Sequence, residues 1–179
     1  MAARIDTGLN QYYIGYGERG MVKLGKLTDY GLVLMTCIVR SESSLPQRTA
    51  RDLAVESKLP PSTVSKLLKE LSQSGLLISH RGTKGGYMLA RAAHQISVID
   101  IIAAIEGPMA LTECSTDVLG ACNLELSCPI KSNQRIINQA VRGVLEKITL
   151  SDLVQPLHLT SIKDARGRLV PMIASGSIQ

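Results

Sequence analysis

The segment between residues 49 and 75 contains two helix signals separated by a pair of prolines. Thr49 and Asp52 are typical of a helix start, in which a hydroxyl side chain is followed three positions later by an acidic one. Pro60 and Pro61 permit a second start, because proline fits a first helical turn, where no amide donor is needed. The second helix has apolar residues at helical spacing, which are Val64, Leu67, Leu68 and Leu71. The sequence therefore predicts two short helices joined by a tight turn.

A glycine-rich basic turn follows the second of these helices. It lies between two short strand candidates at residues 76–78 and 87–89. Upstream, residues 28–39 carry apolar side chains at helical spacing and predict a first helix. Helix, helix, turn, helix and β-hairpin is the element order of a winged helix-turn-helix. We therefore expect a mainly α-helical fold with a small β-hairpin wing.

The chain divides into five regions by pattern. Residues 1–20 lack a sustained period and are expected to be an N-terminal extension, with Met21 as an alternative native start. Residues 21–106 carry the winged helix-turn-helix signals and a further short helix. Residues 107–130 predict an irregular loop, and residues 131–150 a long helix striped by Ile137, Val141, Val144 and Ile148. Residues 151–179 have a weak pattern with Gly and Ser near the end, and are expected to be a flexible tail.

Positive charge is concentrated in residues 60–91, which hold five Lys or Arg and one acidic residue. Hydroxyls and Lys near a helix N-terminus suit the major groove of duplex DNA, whereas Arg81 at a hairpin tip suits the minor groove. Gly82, Gly85 and Gly86 would let the backbone approach phosphates. A solvated basic face is the alternative. The predicted DNA-contacting residues are Ser62, Thr63, Ser65, Lys66, Lys69, Arg81 and Lys84.

Three of the four cysteines lie within fifteen residues, at Cys114, Cys122 and Cys128. Thiolates are preferred ligands of iron–sulfur clusters and zinc, but the short Cys-x₂₋₄-Cys spacing common in zinc sites is absent from this loop. Three thiolates leave one ligand to come from a non-Cys residue, another subunit or solvent. Three unrelated buried thiols are the alternative. Cys37 lies on the apolar face of the first helix and is expected in the core.

Composition excludes several classes of protein. The chain has 179 residues with a net charge of +5, no Phe and no Trp, which argues against single-strand nucleic-acid binding on aromatic platforms. No apolar run approaches the ~20 residues that span a bilayer, and residues 1–20 lack the apolar core of a signal peptide. We therefore expect a cytoplasmic protein without membrane contact, in which thiols stay reduced.

The sequence does not favour an enzyme. Gly15 to Gly20 matches the letters of a dinucleotide-binding fingerprint, but that motif needs a helix directly after it and a βαβ unit around it. The three histidines are isolated, and no catalytic pair of side chains stands out, so no small-molecule substrate is expected. A redox enzyme using a cluster and a zinc-stabilised DNA-binding or interaction module remain as alternatives.

Several motifs resemble the IscR/NsrR family of winged-helix iron–sulfur regulators. They are the Thr-Asp-Tyr opening of the first helix, the Arg-Gly-x-x-Gly-Gly-Tyr wing, the Ile-Ser-Val-x-Asp-Ile-Ile helix and the three-Cys loop. Within the family, residues 26–31, 79–87 and 106–114 resemble the regulator of SUF-type iron–sulfur assembly. The resemblance implies a bacterial homodimer joined through the long helix, with a [2Fe-2S] or [4Fe-4S] cluster on the three cysteines. It also implies a repressor of cluster-assembly genes, with nitric oxide or another oxidant as an alternative signal.

The fourth ligand departs from part of the family. Some relatives have His three residues after the last Cys, where this chain has Lys131, a poor ligand when charged. Other relatives use an acidic residue at the start of the first helix, supplied by the partner subunit, and Asp29 stands at that position. The resemblance therefore favours Asp29 as an oxygen ligand, with N-capping of the first helix as its rival role.

Overall fold

The computed structural model describes residues 24–41, 47–82, 85–116, 118, 120–124, 126–163 and 169–174. Its α-helices are α1 (Lys26–Ser41), α2 (Ala50–Ser57), α3 (Pro61–Gln73), α4 (Val98–Glu106), α5 (Lys131–Lys147) and α6 (Leu150–Leu153). Its strands are β1 (Leu77–His80), β2 (Gly86–Leu89), β3 (His158–Lys163) and β4 (Leu169–Ala174). The predicted mainly α-helical fold with a small β-hairpin is confirmed. Within these residues, no helix is long and apolar enough to cross a membrane.

The larger of two apolar clusters holds the first four helices together, and a smaller one lies between α4 and the end of α5. α1 packs against α2, α3 and α4, and the buried face of α3 is the one that the helical spacing predicted. Cys37 is buried in this core. Burial raises the pKa of the Cys37 thiol, and the Glu56 carboxylate acts in the same direction. The fully buried side chains include Leu34, Met35, Leu53, Val64, Leu67, Leu68, Leu71 and Ile101.

The turn between α2 and α3 is fixed by local chemistry. The Thr49 hydroxyl caps α2 by accepting a hydrogen bond from the Asp52 amide at 3.2 Å. α2 ends at Ser57 and is followed by Lys58, which has a left-handed backbone with φ of 56°. Three residues later Pro61 opens α3. The tight connection holds the two helices in the orientation of a helix-turn-helix.

The wing is an antiparallel hairpin in which Leu77 pairs with Leu89 and His80 pairs with Gly86. A third segment adds to it, because Arg48 forms a bridge with Tyr87 on the open side of β2. Arg48, two residues before α2, is thereby attached to the wing, a contact that the sequence did not predict.

The chain returns to the core after α5. The Val98 amide donates to the Ile148 carbonyl at 2.8 Å, and the Leu150 amide donates to the Ile96 carbonyl at 2.8 Å. Both α4 and α6 begin with a capping box, formed by Ser97 and by Thr149. Leu150 is fully buried, so the end of α5 is anchored on the winged-helix domain.

The C-terminal region differs from the flexible tail that the sequence predicted. α6 lies at its start, and β3 pairs with β4 from His158↔Ala174 to Lys163↔Leu169. The strand signal was weak because Leu159 and Ile162 do not alternate with period two, and Pro171 is disfavoured inside a strand. The expected N-terminal extension at residues 1–20 lies outside the described residues.

Candidate nucleic-acid interface and cysteine loop

α3 exposes most of the polar residues that the sequence assigned to DNA. Ser62, Ser65, Lys66 and Lys69 are exposed and Thr63 is half-buried, while the apolar face is turned into the core. The Lys66 ammonium lies 3.8 Å from the Glu70 carboxylate one turn later, and the Lys66 side chain is still 57% exposed. Small hydroxyls and exposed ammonium groups on one helix face can contact base edges and phosphates at the same time.

Arg81 is exposed directly after β1, at the start of the hairpin turn. Gly82 has φ of +113°, a backbone conformation that side chains disfavour, and its carbonyl accepts from the Gly85 amide at 2.9 Å. The turn therefore presents Arg81 on a short, tightly closed loop. Lys84, the other predicted wing contact, lies outside the described residues.

Gly86 has a different role from the one that the sequence predicted. It is buried, and a Cβ atom at this position would lie 2.7 Å from the Arg48 carbonyl oxygen. The absence of a side chain thus lets the segment before α2 approach β2.

Cys114 occupies a single 3₁₀ turn, Glu113–Ser115, that packs against α5. It is 8% exposed, and its Sγ atom lies 3.3 Å from the Thr112 hydroxyl oxygen. The Arg135 guanidinium donates to the Cys114 carbonyl at 3.4 Å, which ties the turn to α5. Cys122 and Cys128 are half-buried, and none of these three cysteines forms a disulfide.

The donor set matches an iron–sulfur cluster in type, with three free thiols on one loop, and is one ligand short of the usual four. Their positions do not form a ligand set as they stand, because within the described residues no three Cys, His, Asp or Glu side chains are grouped to hold a metal ion. Hydrogen bonds within the loop, such as Ser127 to Leu124 at 3.0 Å, are local turns. Binding a cluster would therefore require the segment carrying Cys122 and Cys128 to fold toward Cys114.

The start of the cysteine loop is attached at two other points. The Leu111 amide donates to Asn138 Oδ1 at 3.0 Å, and the Arg142 guanidinium donates to the Met109 carbonyl at 3.3 Å, both on the α5 side. On the other side, Glu106 accepts hydrogen bonds from the Gly25 amide at 2.7 Å and from the Thr28 hydroxyl. The loop thus begins between α5 and the N-terminus of α1.

Asp29 is exposed in the first turn of α1. Its rival role as the N-cap is wrong, because the helix begins at Lys26 and the Thr28 and Asp29 amides both donate to the Gly25 carbonyl. Glu106, which stands 81 residues after Gly25, closes this helix end instead. Sequence spacing gives no signal for such a contact, so this residue was missed.

α5 has several apolar residues on its exposed side. Ile136 is 63% exposed and Ile137 and Val144 are each 50% exposed, whereas the polar Asn138 is 6% exposed. Of the predicted stripe, Ile148 is buried against the winged-helix domain. An exposed apolar face of this kind is typical of an interaction site.

Comparison with known proteins agrees with this arrangement. The model of the Rrf2 family, described as iron-dependent transcriptional regulators, matches residues 24–156. A Mycobacterium tuberculosis protein named as an HTH-type transcriptional regulator is 30% identical over 149 residues, covering 80% of this chain and 89% of its own length.

Two solved structures share the architecture. CymR, the global cysteine regulator of B. subtilis, superposes with a TM-score of 0.60 at 30% identity, covering 75% of this chain and 97% of CymR. IscR of T. potens superposes with a TM-score of 0.57 at 26% identity, covering 74% of this chain and 86% of that one. These relatives are transcriptional regulators and not enzymes. By its sequence, its winged helix and its match across residues 24–156, the chain belongs to the Rrf2 family of DNA-binding transcriptional regulators.

Proposed function

We propose that this protein is a homodimeric repressor whose affinity for duplex DNA depends on an iron–sulfur cluster held by Cys114, Cys122 and Cys128. The observation that carries the proposal is the position of the three thiols, on one loop that begins between α5 and α1. The SUF-type or ISC-type assembly genes are the proposed targets, because the wing and the start of the cysteine loop resemble regulators of that class.

DNA recognition would use the exposed side of α3 in the major groove and Arg81 in the minor groove. Two copies joined through α5 would present two α3 helices, and a dimer of this type reads half-sites about one helical turn apart. The spacing of the two helices then sets the affinity for an operator.

The cysteine loop would control that spacing. When bound, the cluster would supply bonds that hold the three thiolates and the Asp29 carboxylate of the second copy together. Since Asp29 lies in the first turn of α1, such a link would join each loop to the partner's winged helix. Without that link the two winged helices would sample spacings that bind an operator poorly.

A second candidate is a regulator of the same fold that works without a cluster. The described cysteines are not grouped as a ligand set, and CymR, which is 30% identical, is known as a global cysteine regulator. Nitric oxide or another oxidant as the signal is a variant of the first proposal, and zinc in place of iron is the remaining alternative.

Anaerobic purification followed by iron and sulfide analysis tests the proposal. We expect brown protein whose DNA affinity, measured at one salt concentration on a duplex from the host's SUF promoter, falls at least about tenfold in Cys114→Ala. Cys37→Ala is the matched control, since Cys37 is in the core, and should keep its colour. Colourless protein without iron, or equal affinity for parent and Cys114→Ala, would contradict cluster sensing. Bound zinc would favour the zinc alternative.

Asp29→Ala tests the fourth ligand separately. We expect an altered visible spectrum and faster loss of iron in air. A spectrum identical to that of the parent protein would exclude ligation by Asp29.

A further inference from the structure

Arg48 is a buried arginine at the junction of the wing and the helix-turn-helix. It is 9% exposed, although arginine is mostly found at protein surfaces. Its amide donates to the Tyr87 carbonyl at 3.0 Å, and its carbonyl accepts from the Tyr87 amide at 2.8 Å. Its guanidinium donates to the Glu56 carboxylate at 2.6 Å, in the last turn of α2. One residue therefore holds β2 with its main chain and α2 with its side chain.

The contacts around Arg48 are close, and they are largely shielded from water. The backbones approach so tightly that Gly86 has no room for a Cβ atom. The Arg48 side chain is 11% exposed and that of Glu56 is 36% exposed, so solvent reaches one partner far less than the other. Within the described residues Arg48 Nε is buried without a hydrogen-bond partner, so the carboxylate of Glu56 is the main compensation for its charge. Removing one partner of such a pair leaves a charge without compensation.

The two elements that Arg48 joins carry the two halves of the DNA-contacting surface. β2 is the strand opposite β1, which leads directly into Arg81. α2 is joined to α3, which carries Lys66 and Lys69, by the tight turn after Lys58. α3 also packs directly against β1, so Arg48 forms a second link between the wing and the helix pair, on the β2 side. A hinge at this point would let one groove contact form without the other.

We propose that Arg48 is a positioning residue for DNA recognition: its ion pair with Glu56 locks the wing relative to α3, so that both engage the duplex together. The proposal rests on DNA binding through α3 and the wing, and is independent of any cluster. It assigns no contact with DNA to Arg48 itself.

Glu56→Gln gives the sharpest test, because two explanations predict opposite signs. Loss of an acidic residue alone should tighten binding to a polyanion. The proposal predicts binding about fivefold to tenfold weaker on the SUF-promoter duplex, because the guanidinium loses its anchor. Tighter binding by folded Glu56→Gln would overturn it.

A double-mutant cycle with Arg81→Ala separates positioning from loss of stability. Arg48→Gln should weaken binding about tenfold in the parent and less than about twofold in Arg81→Ala, because the wing then has no contact left to position. Equal weakening in both backgrounds would overturn the proposal.

Two further variants keep the test interpretable. Arg48→Lys retains the charge and should retain most of the affinity even if Arg48→Gln unfolds. Arg91→Gln removes the same charge from an exposed ion pair with Asp100 and should change affinity less than about twofold. A parent protein that binds no DNA, or that is unaffected by Arg81→Ala, would contradict the proposed DNA surface. Weakening by Arg81→Ala without coupling to Arg48 would contradict this inference alone.

Discussion

Glu106 closes the N-terminus of α1 from a neighbouring helix, and Glu106→Ala should lower the free energy of unfolding by about 2 kcal/mol. Its carboxylate accepts the Gly25 amide at 2.7 Å and the Thr28 hydroxyl. Thr28 is fully buried, so its hydroxyl would lose its acceptor in a place that water reaches poorly. The first amides of a helix have no partner within the helix, which makes an acceptor at this end stabilising.

The magnitude follows from counting the interactions. A hydrogen bond to a charged group contributes about 1.5–3 kcal/mol when buried, and the exposed carboxylate of Glu106 reduces each of the two to about 1 kcal/mol. The macrodipole of α1 favours this carboxylate, but Glu106 is also the last residue of α4, whose dipole opposes it by a similar amount. The dipole contributions therefore nearly cancel, and the two hydrogen bonds determine the result.

Urea unfolding followed by circular dichroism at 222 nm measures the change. Glu106→Ala should also lower Tm by about 4–8 °C in a chain of this size. Glu106→Gln keeps an acceptor oxygen and should lose about half as much stability. Glu113→Ala removes an exposed glutamate from the same loop region and should stay within about 0.5 kcal/mol of the parent. If Glu106→Ala and Glu113→Ala were equally stable, water would be replacing both hydrogen bonds, and the proposed closure of α1 would be wrong.

Three other predictions follow from the same geometry. Gly86→Ala should destabilise the wing by about 1–3 kcal/mol in urea, because its methyl group meets the Arg48 carbonyl oxygen. Lys69→Ala should reduce the slope of log affinity against log salt by about one, since one phosphate contact is lost. In cluster-free protein Cys37 should react with iodoacetamide far more slowly than Cys122, because burial raises the pKa of its thiol. Alkaline pH ionises that thiol first in the unfolded chain, so this residue's contribution to stability should fall as pH rises above the usual thiol range.

The elements that the sequence predicted are those with local signals. Helical spacing along α3, the cap of Thr49 and the glycine-rich turn each act within a few residues, so the winged helix could be predicted from pattern alone. The contacts that were missed join distant or irregularly spaced residues. Arg48 and Glu56 are eight residues apart, on either side of the start of α2, and Glu106 contacts Gly25, 81 residues earlier. Neither contact produces a periodic pattern in the sequence.

The cysteine loop shows the same division. The three thiols predict an iron–sulfur site, because thiolates are preferred ligands of such clusters, and that site stays a prediction. Their arrangement in space depends on how residues 107–130 fold against α5, which contains the unexpected buried Asn138. A ligand list can therefore be predicted from residue types, whereas a ligand geometry needs the packing of the whole loop.

The exposed apolar face of α5 is expected to join two copies of the chain, and one charge placed on it should separate them. About half of the surface is exposed in each of three side chains, Ile136, Ile137 and Val144. Burying that surface in both copies would contribute roughly 6 kcal/mol of hydrophobic free energy, before the cost of association is subtracted. In a twofold interface the Ile136→Glu substitution introduces two carboxylates. Desolvating each one costs at least about 2 kcal/mol, so the Kd of the dimer should rise about a thousandfold. Sedimentation equilibrium should show a monomer for Ile136→Glu and a dimer for Gln73→Glu, which carries the same charge at an exposed position outside α5. Weak, single-half-site DNA binding should accompany the monomer. A dimer that survives in Ile136→Glu would place the joining surface elsewhere, and the spacing of the two α3 helices would then have to be set by another part of the chain.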